Sequence, residues 1–213
     1  MKPYISPRAQ QFLTPAANEE AVDQPLYHLQ SYGTAGATLF TFFNTAQTGN
    51  FGITNMDNQS ILPKGKRFMV FGIGVAFLGG QAPVQNGTST TLASYLNDAR
   101  SVIEGSGWID LTILDKSYLK ESPLSRCPAG IGLFTGAGGI QATQASAADG
   151  LRQVSYGSNG VPALGNVRWL SVPIPIPEQV RFSVTANFNT AVTVGTAGTL
   201  GVWLLGRMIR VVQ

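Results

Sequence analysis

The apolar positions along most of this chain follow the two-residue period of short β-strands. The strongest case is residues 66–78, KRFMVFGIGVAFL, where regular alternation predicts one bulky face and one nearly smooth face at Gly72 and Gly74. Glycines there would permit bending or the close approach of another backbone. The clearest strand patterns cover residues 38–43, 66–78, 108–114, 167–172, 180–188 and 200–212, and weaker patterns cover 53–62, 131–135 and 192–194.

One segment has the period of a helix instead. Between Thr90 and Gly105 the apolar residues recur at steps of three and four, and Ser89 or Thr90 is suited to cap the start. Gly105 is suited to end the helix. Because no second alternation of strand and helix follows, we interpret this helix as part of a loop and predict an all-β fold.

The first 37 residues have no sustained hydrophobic period and contain four prolines. We interpret residues 1–37 as an extended arm and residues 38–213 as a single β-sandwich domain. The arm carries scattered large apolar side chains, which we expect to pack against a neighbouring subunit. These candidate subunit-interface residues are Tyr4, Phe12, Leu13, Leu26 and Tyr27.

Composition adds a weakly charged surface to this picture. Only 12% of the 213 residues are charged, against a usual value of about 25%, and the net charge is +3. This balance gives no electrostatic footprint for nucleic acid. The one tight basic group, Lys64, Lys66 and Arg67, is interpreted as the solvated entrance to a strand.

The chain shows no targeting or membrane signal. Its start, MKPYISPRAQQ, lacks the apolar run of a secretory signal, and no stretch reaches the roughly 18 uninterrupted apolar residues of a membrane-spanning helix. We therefore expect a protein that is made in the cytoplasm and has no transmembrane segment.

The residues that catalysis requires are scarce. His28 is the only histidine and lies in the arm, where we expect a partly exposed side chain and no general base. Cys127 is the only cysteine, which excludes an intramolecular disulfide, and we expect a packed, unreactive thiol. Asp110 and Asp115 should fall on opposite faces of one strand, a poor acid/base pair. No catalytic residue, cofactor site or metal site is predicted.

Two further features have structural interpretations. Residues 130–139, GIGLFTGAGG, are rich in glycine, but no Lys-Ser or Lys-Thr follows, so we predict a mobile surface loop and not a phosphate-binding loop. Trp108, Trp169 and Trp203 lie in predicted strands, and we expect them to fill the core.

Two segments share a pattern in which a proline precedes a strand that starts with Arg-Phe. They are LPKGKRFMV at residues 62–70 and IPEQVRFSV at residues 176–184, and the Phe of each should point inward. Together with the arm, the helix-bearing loop and the closing strand GVWLLGRMIRVV, they resemble the jelly-roll capsid proteins of icosahedral viruses, especially tailless bacteriophages. The resemblance covers residues 38–212 and implies a single jelly-roll β-sandwich.

The resemblance also implies a function. It implies a structural virion protein that catalyses no reaction and forms trimers, pentamers or hexamers with copies of itself, alone or with other capsid proteins. Such a protein is made in the host cytoplasm and resides in the capsid. The arm holds only Lys2 and Arg8 against Glu19, Glu20 and Asp23, so we expect it neither to condense the genome nor to read a nucleic-acid sequence.

Two other functions stay open from the residues. The first is a carbohydrate- or receptor-binding β-sandwich of a phage spike or fibre, in which a loop aromatic such as Tyr156 stacks on a sugar. The second is a glycoside hydrolase, which needs two converging carboxylates. The candidate carboxylates for it are Asp98, Glu104, Asp110 and Asp115.

Overall fold

The computed structural model describes residues 7–49, 51–79, 89–129, 133–139, 153–159 and 167–212, and it is mostly β. Its elements in chain order are α1 (Pro7–Leu13), β1 (Glu19–Asp23), β2 (Leu26–Tyr32), β3 (Leu39–Phe42), β4 (Lys66–Gly79), α2 (Ser89–Glu104), β5 (Gly107–Ile113), β6 (Lys116–Pro123), β7 (Leu133–Gly139), β8 (Gln153–Asn159), β9 (Arg168–Ile176), β10 (Phe182–Phe188) and β11 (Gly198–Val211). The predicted β-rich class and the predicted helix over residues 90–105 are confirmed.

Two antiparallel sheets form the body. In the first sheet, β1 and β2 follow one another along the same edge of β11, and β4 and then β9 lie on its other side. In the second sheet the order is β3-β10-β5-β6, and β7 pairs with β8 in a separate hairpin.

A shared apolar core joins the two sheets. Tyr32 of the first sheet stacks on Phe40 of the second with ring centroids 4.9 Å apart, and it meets Phe77 edge-on at 5.3 Å. Each large apolar side chain that is fully buried contributes about 1.5–3 kcal/mol to folding. The bulkiest fully buried side chains are Tyr32, Phe42, Phe43, Phe68, Phe77 and Phe182. Both Phe residues of the Pro-led segments therefore point inward, as predicted.

A β-bulge corrects the predicted faces of β4. The ladder with β11 pairs Val70 with Gly206 and Gly72 with Leu205, so Phe71 is an extra residue without a partner in that ladder. The bulge shifts the alternation by one residue. Consequently Phe68 and Val70 share the core with Ile73, which regular alternation had placed on the opposite face.

The smooth face predicted at Gly72 and Gly74 is real, and other backbone lies against it. A Cβ at Gly74 would stand 2.6 Å from the Cα of Ala129, and one at Gly72 would stand 3.2 Å from the carbonyl oxygen of Arg168. The amide of Val75 also donates to the carbonyl of Cys127 at 2.7 Å. These glycines allow the close approach of a second segment, as predicted.

Several elements differ from the predictions. Within residues 130–139, the described residues 133–139 form β7 and pair with β8, so the loop interpretation is wrong for them, and residues 130–132 lie outside the described part. β6 was not predicted. Residues 53–62 make isolated bridges through Thr54 and Ile61 and form no strand, and residues 192–194 form none either.

Candidate assembly surfaces

The amino-terminal segment folds back on its own chain. β1 pairs with Arg207–Val211 and β2 pairs with Gly198–Leu204. Residues 19–23 and 26–32 therefore need no neighbouring subunit for their strand pairing, because the edge of β11 supplies their hydrogen bonds. Residues 1–6 lie outside the described part of the chain.

The five candidate interface residues have different environments. Leu26 is 2% exposed and belongs to the core of its own chain, and Leu13 is also buried. Phe12 is half-buried beneath the guanidinium of Arg67, and the hydroxyl of Tyr27 donates to the carbonyl of Phe51. Tyr4 lies outside the described residues. Contacts of Phe12 and Tyr27 with a second subunit stay a prediction.

Arg67 holds the amino-terminal segment against the first sheet through hydrogen bonds. The interpretation of residues 64–67 as a solvated strand entrance is therefore wrong for Arg67. Its guanidinium donates to both carboxylate oxygens of Glu19, at 2.5 and 2.9 Å, and to the carbonyls of Phe12 and Thr14, at 2.9 and 3.1 Å. The hydrogen bond from Arg67, and next the amide of Ala16, hold the pKa of Glu19 below its usual value. A second ion pair joins Arg210 to Glu20 at 2.6 Å.

The same segment covers part of the outer face of the first sheet. Met69 and Ile209 are buried although they lie on the face opposite Phe68 and Met208, which belong to the shared core. Arg67 is on this outer face too, and α1 contacts β9. We call residues 7–18, which contain α1, the cover, because Arg67 binds the carbonyls of Phe12 and Thr14 on this outer face.

Large apolar side chains remain exposed along the edge strands. Leu39 on β3 is 55% exposed, Tyr118 on β6 is 43% exposed, and Trp169 and Val172 on β9 are 49% and 70% exposed. The expectation that the three tryptophans fill the core is wrong: Trp169 is exposed because its strand is at an edge, and Trp108 and Trp203 lie outside the shared core on the outer sides of β5 and β11. Trp108 and Trp203 are half-buried.

The edges differ in how they oppose the addition of another strand. β6 carries Lys116, Lys120 and Glu121, and its pairing with β5 is irregular at two points. β9 carries Pro173 and Pro175, which have no backbone N–H to donate. Strand addition is therefore disfavoured at both edges, and contact there would be made by side chains.

The outer face of the second sheet is polar but almost uncharged. Its central strands present Thr112, Ser183 and Thr185, the one carboxylate of Asp110 and, as the one large ring, Trp108. Asp110 accepts hydrogen bonds from the amide of Glu121 and, at 3.0 Å, from the side chain of Asn187. Asp110 thus secures this sheet.

The other carboxylates proposed for catalysis have separate partners. Asp98 on α2 accepts from the amides of Gly195 and Thr196, at 2.9 and 3.2 Å, and Glu104 pairs with Arg100 at 2.7 Å. Asp115 lies in the turn between β5 and β6. Within the described part of the chain, no group of three His, Cys, Asp or Glu residues is arranged to hold a metal ion.

Cys127 and His28 are both buried. Burial raises the pKa of the Cys127 thiol, which lies 3.5 Å from the hydroxyl of Ser122, so the predicted packed thiol is confirmed. His28 is 2% exposed, which corrects the expectation of a partly exposed arm residue. Its pairing with Val202 carries the side chain inward.

An open groove of about 370 Å³ lies beside β2 and includes Tyr27, Asn55 and Lys66 in its walls. Its polar groups bind each other: Asn55 accepts from the amide of Tyr27 at 3.0 Å, and Lys66 pairs with Asp57 at 2.5 Å. The groove therefore presents few unused polar groups to a small molecule.

Comparisons of this chain with protein-family models, with curated proteins and with solved structures find no match. In the described residues, no helix has the length and apolar character needed to cross a membrane.

Proposed function

We propose that this β-sandwich is a jelly roll and that the chain is a structural subunit of an icosahedral viral shell, resembling those of tailless bacteriophages. In this role it binds copies of itself and catalyses no reaction. The order of the strands in the two sheets is the observation that carries the proposal.

The strand order supports a jelly roll as follows. If β1 and β2 count as one position along β11, each sheet has four positions, and the orders are β1/β2-β11-β4-β9 and β3-β10-β5-β6. The chain crosses between the sheets at β2 to β3, β3 to β4, β4 to β5, β6 to β9, β9 to β10 and β10 to β11. Eight strand positions in two antiparallel sheets, connected by such crossings, are typical of the jelly roll of capsid proteins.

The surface supports an assembling subunit. Charged residues make up 12% of the chain, and the cores of protein interfaces are depleted in charge. Side chains such as Leu39, Trp169 and Val172 are exposed at separate edges of the sandwich. A subunit that contacts neighbours on several sides would bury such residues.

The assembly we propose is built of trimers, pentamers or hexamers of this chain, alone or with other capsid proteins, and its location is the virion. Glu19 and Glu20 of the amino-terminal segment are paired with Arg67 and Arg210 of the same chain. This segment therefore has little positive charge available to condense a genome.

The proposal is tested with the purified full chain. Sedimentation velocity and electron microscopy across a series of protein and salt concentrations should detect capsomers or closed shells. A protein that stays monomeric at every concentration and salt condition would contradict the proposal. A glycan array on the same material tests the alternative, and specific binding by a monomer would favour a spike or fibre module.

A further inference from the structure

Side chains join the two sheets at the corner between β2 and β3. β2 belongs to the first sheet and β3 to the second, so no backbone ladder connects them. The side chain of Gln30 donates to the carbonyl of Thr41, and Nδ1 of His28 accepts from the amide of Phe43 at 2.5 Å. Two alternate residues of β2 thus bind the backbone at the edge of β3.

The hydrogen-bond pattern of β3 explains why these side chains are needed. The amide of Phe188 donates to the carbonyl of Thr38 at 2.9 Å, which makes Thr38 a hydrogen-bonded partner of β10. By alternation, the backbone groups of Thr41 and Phe43 point away from β10. His28 and Gln30 therefore satisfy groups that would otherwise lack a partner in the sheet.

Phe43 is held in place by other contacts. Its carbonyl accepts from the amide of Ser60 at 2.7 Å and from the Ser60 hydroxyl at 3.2 Å, and its ring lies 5.4 Å from the ring of Phe182. Its backbone is in the left-handed region, at φ 63°, and its side chain is fully buried. If His28 stopped accepting, the Phe43 amide would be left buried and unpaired unless the corner opened.

The neighbours of His28 in the described part of the chain carry no negative charge. Phe42 and Phe43 lie edge-on at 6.0 Å on the side of β3, Val202 faces it from β11, and Thr54 bridges to it from the opposite side. None of these side chains ionises near neutral pH. The nearest titratable groups on β2 itself are Tyr27 and Tyr32. Burial in this setting lowers the pKa of His28 to about 4.

We propose that His28 is an acid-sensitive latch between the two sheets. The neutral imidazole accepts the Phe43 N–H and keeps the β2–β3 corner closed. Protonation at Nδ1 removes the acceptor and places a cation among phenyl rings, so the imidazolium leaves the pocket and the corner opens. The latch lies within one chain and does not depend on the proposed shell.

The direction of the pH effect follows from the two states. In the open corner the imidazole is in water, where its pKa is near 6.5, whereas in the closed corner its pKa is about 4. The closed state is therefore fully favoured above pH 6.5 and is lost progressively as the pH falls towards 4. The equilibrium constant for opening should rise about a hundredfold between pH 7 and pH 4.

The test compares the wild type with His28→Asn in dilute, monomeric protein. The Oδ1 of asparagine can accept the Phe43 N–H from a position like that of Nδ1, but it does not titrate. Hydrogen exchange at the Phe43 amide, followed by NMR and corrected for the intrinsic effect of pH, should speed up about a hundredfold from pH 7 to pH 4 in the wild type. It should change much less in His28→Asn, which keeps every carboxylate.

Two further measurements complete the test. His28→Leu removes the acceptor, so its Phe43 amide should exchange quickly at every pH. If these variants do not fold, nitrogen NMR of the wild-type imidazole should show an unprotonated Nδ1 down to about pH 4, with protonation and opening of the corner together. Equal pH dependence in wild type and His28→Asn, or an imidazole that titrates near pH 6.5 with the Phe43 amide still protected, would overturn the latch.

Discussion

The two sheets differ in whether another segment of the chain lies on their outer face. On the first sheet, Met69 and Ile209 are buried on the outer face, and Arg67 on the same face binds the cover through the carbonyls of Phe12 and Thr14. On the second sheet no described segment plays this part, and the central strands present half-buried Ser, Thr and Asn side chains, one carboxylate and the ring of Trp108. The chain thus uses its amino terminus to complete one sheet and leaves the other suited to contact with water or with another subunit.

This difference has an energetic meaning. Covering the first sheet gains apolar burial but requires ordering of the segment that covers it, which opposes much of the gain. The second sheet avoids that ordering cost by presenting hydroxyl and amide groups. Moving such groups from water into an interface costs less free energy than moving charged groups, because no ion has to lose its hydration shell.

The largest effect is expected on the outer face of the first sheet. Met69→Ala removes a fully buried side chain, and we expect it to lower the free energy of unfolding by about 2–5 kcal/mol. The matched change on the bare face, Ser183→Ala, should change it by less than about 0.5 kcal/mol. Urea denaturation of both variants measures the difference. Equal losses would show that the two outer faces do not differ in this way.

A second prediction concerns the fastening of the cover. Arg67→Met removes the charged hydrogen bonds to the carbonyls of Phe12 and Thr14, and we expect a loss of about 1.5–3 kcal/mol. Arg210→Met breaks an exposed ion pair and should cost at most about 1 kcal/mol. Limited proteolysis, read by mass spectrometry, should show faster cleavage before residue 19 in Arg67→Met alone. Similar cleavage in both variants would mean that loss of either positive charge loosens the cover, and that the hydrogen bonds of Arg67 have no special role.

A third prediction concerns Gly74, where the backbone of residues 127–129 lies against the outer face of the first sheet. Gly74→Ala would set a Cβ 2.6 Å from the Cα of Ala129, so we expect a loss of about 1–3 kcal/mol. Gly33→Ala has open space around it and is the control. Thermal unfolding should separate the two variants. A stable Gly74→Ala would mean that residues 127–129 can move away from the sheet without loss.

A fourth prediction uses pH to loosen the cover. The pKa of Glu19 is lowered by Arg67, so its contribution is complete above about pH 4.5 and is lost as the pH falls through the lowered value. Cleavage before residue 19 by an acid-active protease should therefore rise below pH 4.5 in the wild type. In Glu19→Gln this additional rise should be absent. A rise of the same size in both would assign it to other carboxylates.

The smallest effect on stability is expected at the edge of β9. Val172 is 70% exposed, so Val172→Ser should change the free energy of unfolding by less than about 0.5 kcal/mol. Under the proposed function, the same change should weaken association between subunits, which sedimentation velocity would detect. Unchanged association would exclude this part of the β9 edge from the subunit contacts.

Local periodicity was sufficient to predict the strands whose two faces differ. β5 and β10 alternate strictly between core and outer face, and residues 90–105 show a helical period because α2 packs through Ala99 and Val102. In β4 the same periodicity predicted the wrong face for the residues after the bulge at Phe71. One extra residue moves every later side chain of the strand to the opposite face. The local sequence pattern contains no signal for this bulge.

The missed strands have a different cause. β6 is an edge strand whose residues are mostly exposed, so its sequence KSYLKESP has no apolar face. β2 turns the polar side chains of His28 and Gln30 inward, where they bind β3, and this makes its pattern irregular. The roles of His28 and Arg67 depend on residues distant in sequence. Only the folded chain brings those partners together.

The two-piece edge of β11 has a consequence for how the molecule loosens. Gln24 and Pro25 separate β1 from β2, and Pro25 has no amide hydrogen with which to continue a ladder. Fraying that starts at the amino terminus should therefore run through five rungs and stop, since β2 is anchored in the core by Leu26 and Tyr32. The terminus can therefore melt and re-form while β2 stays paired with β11.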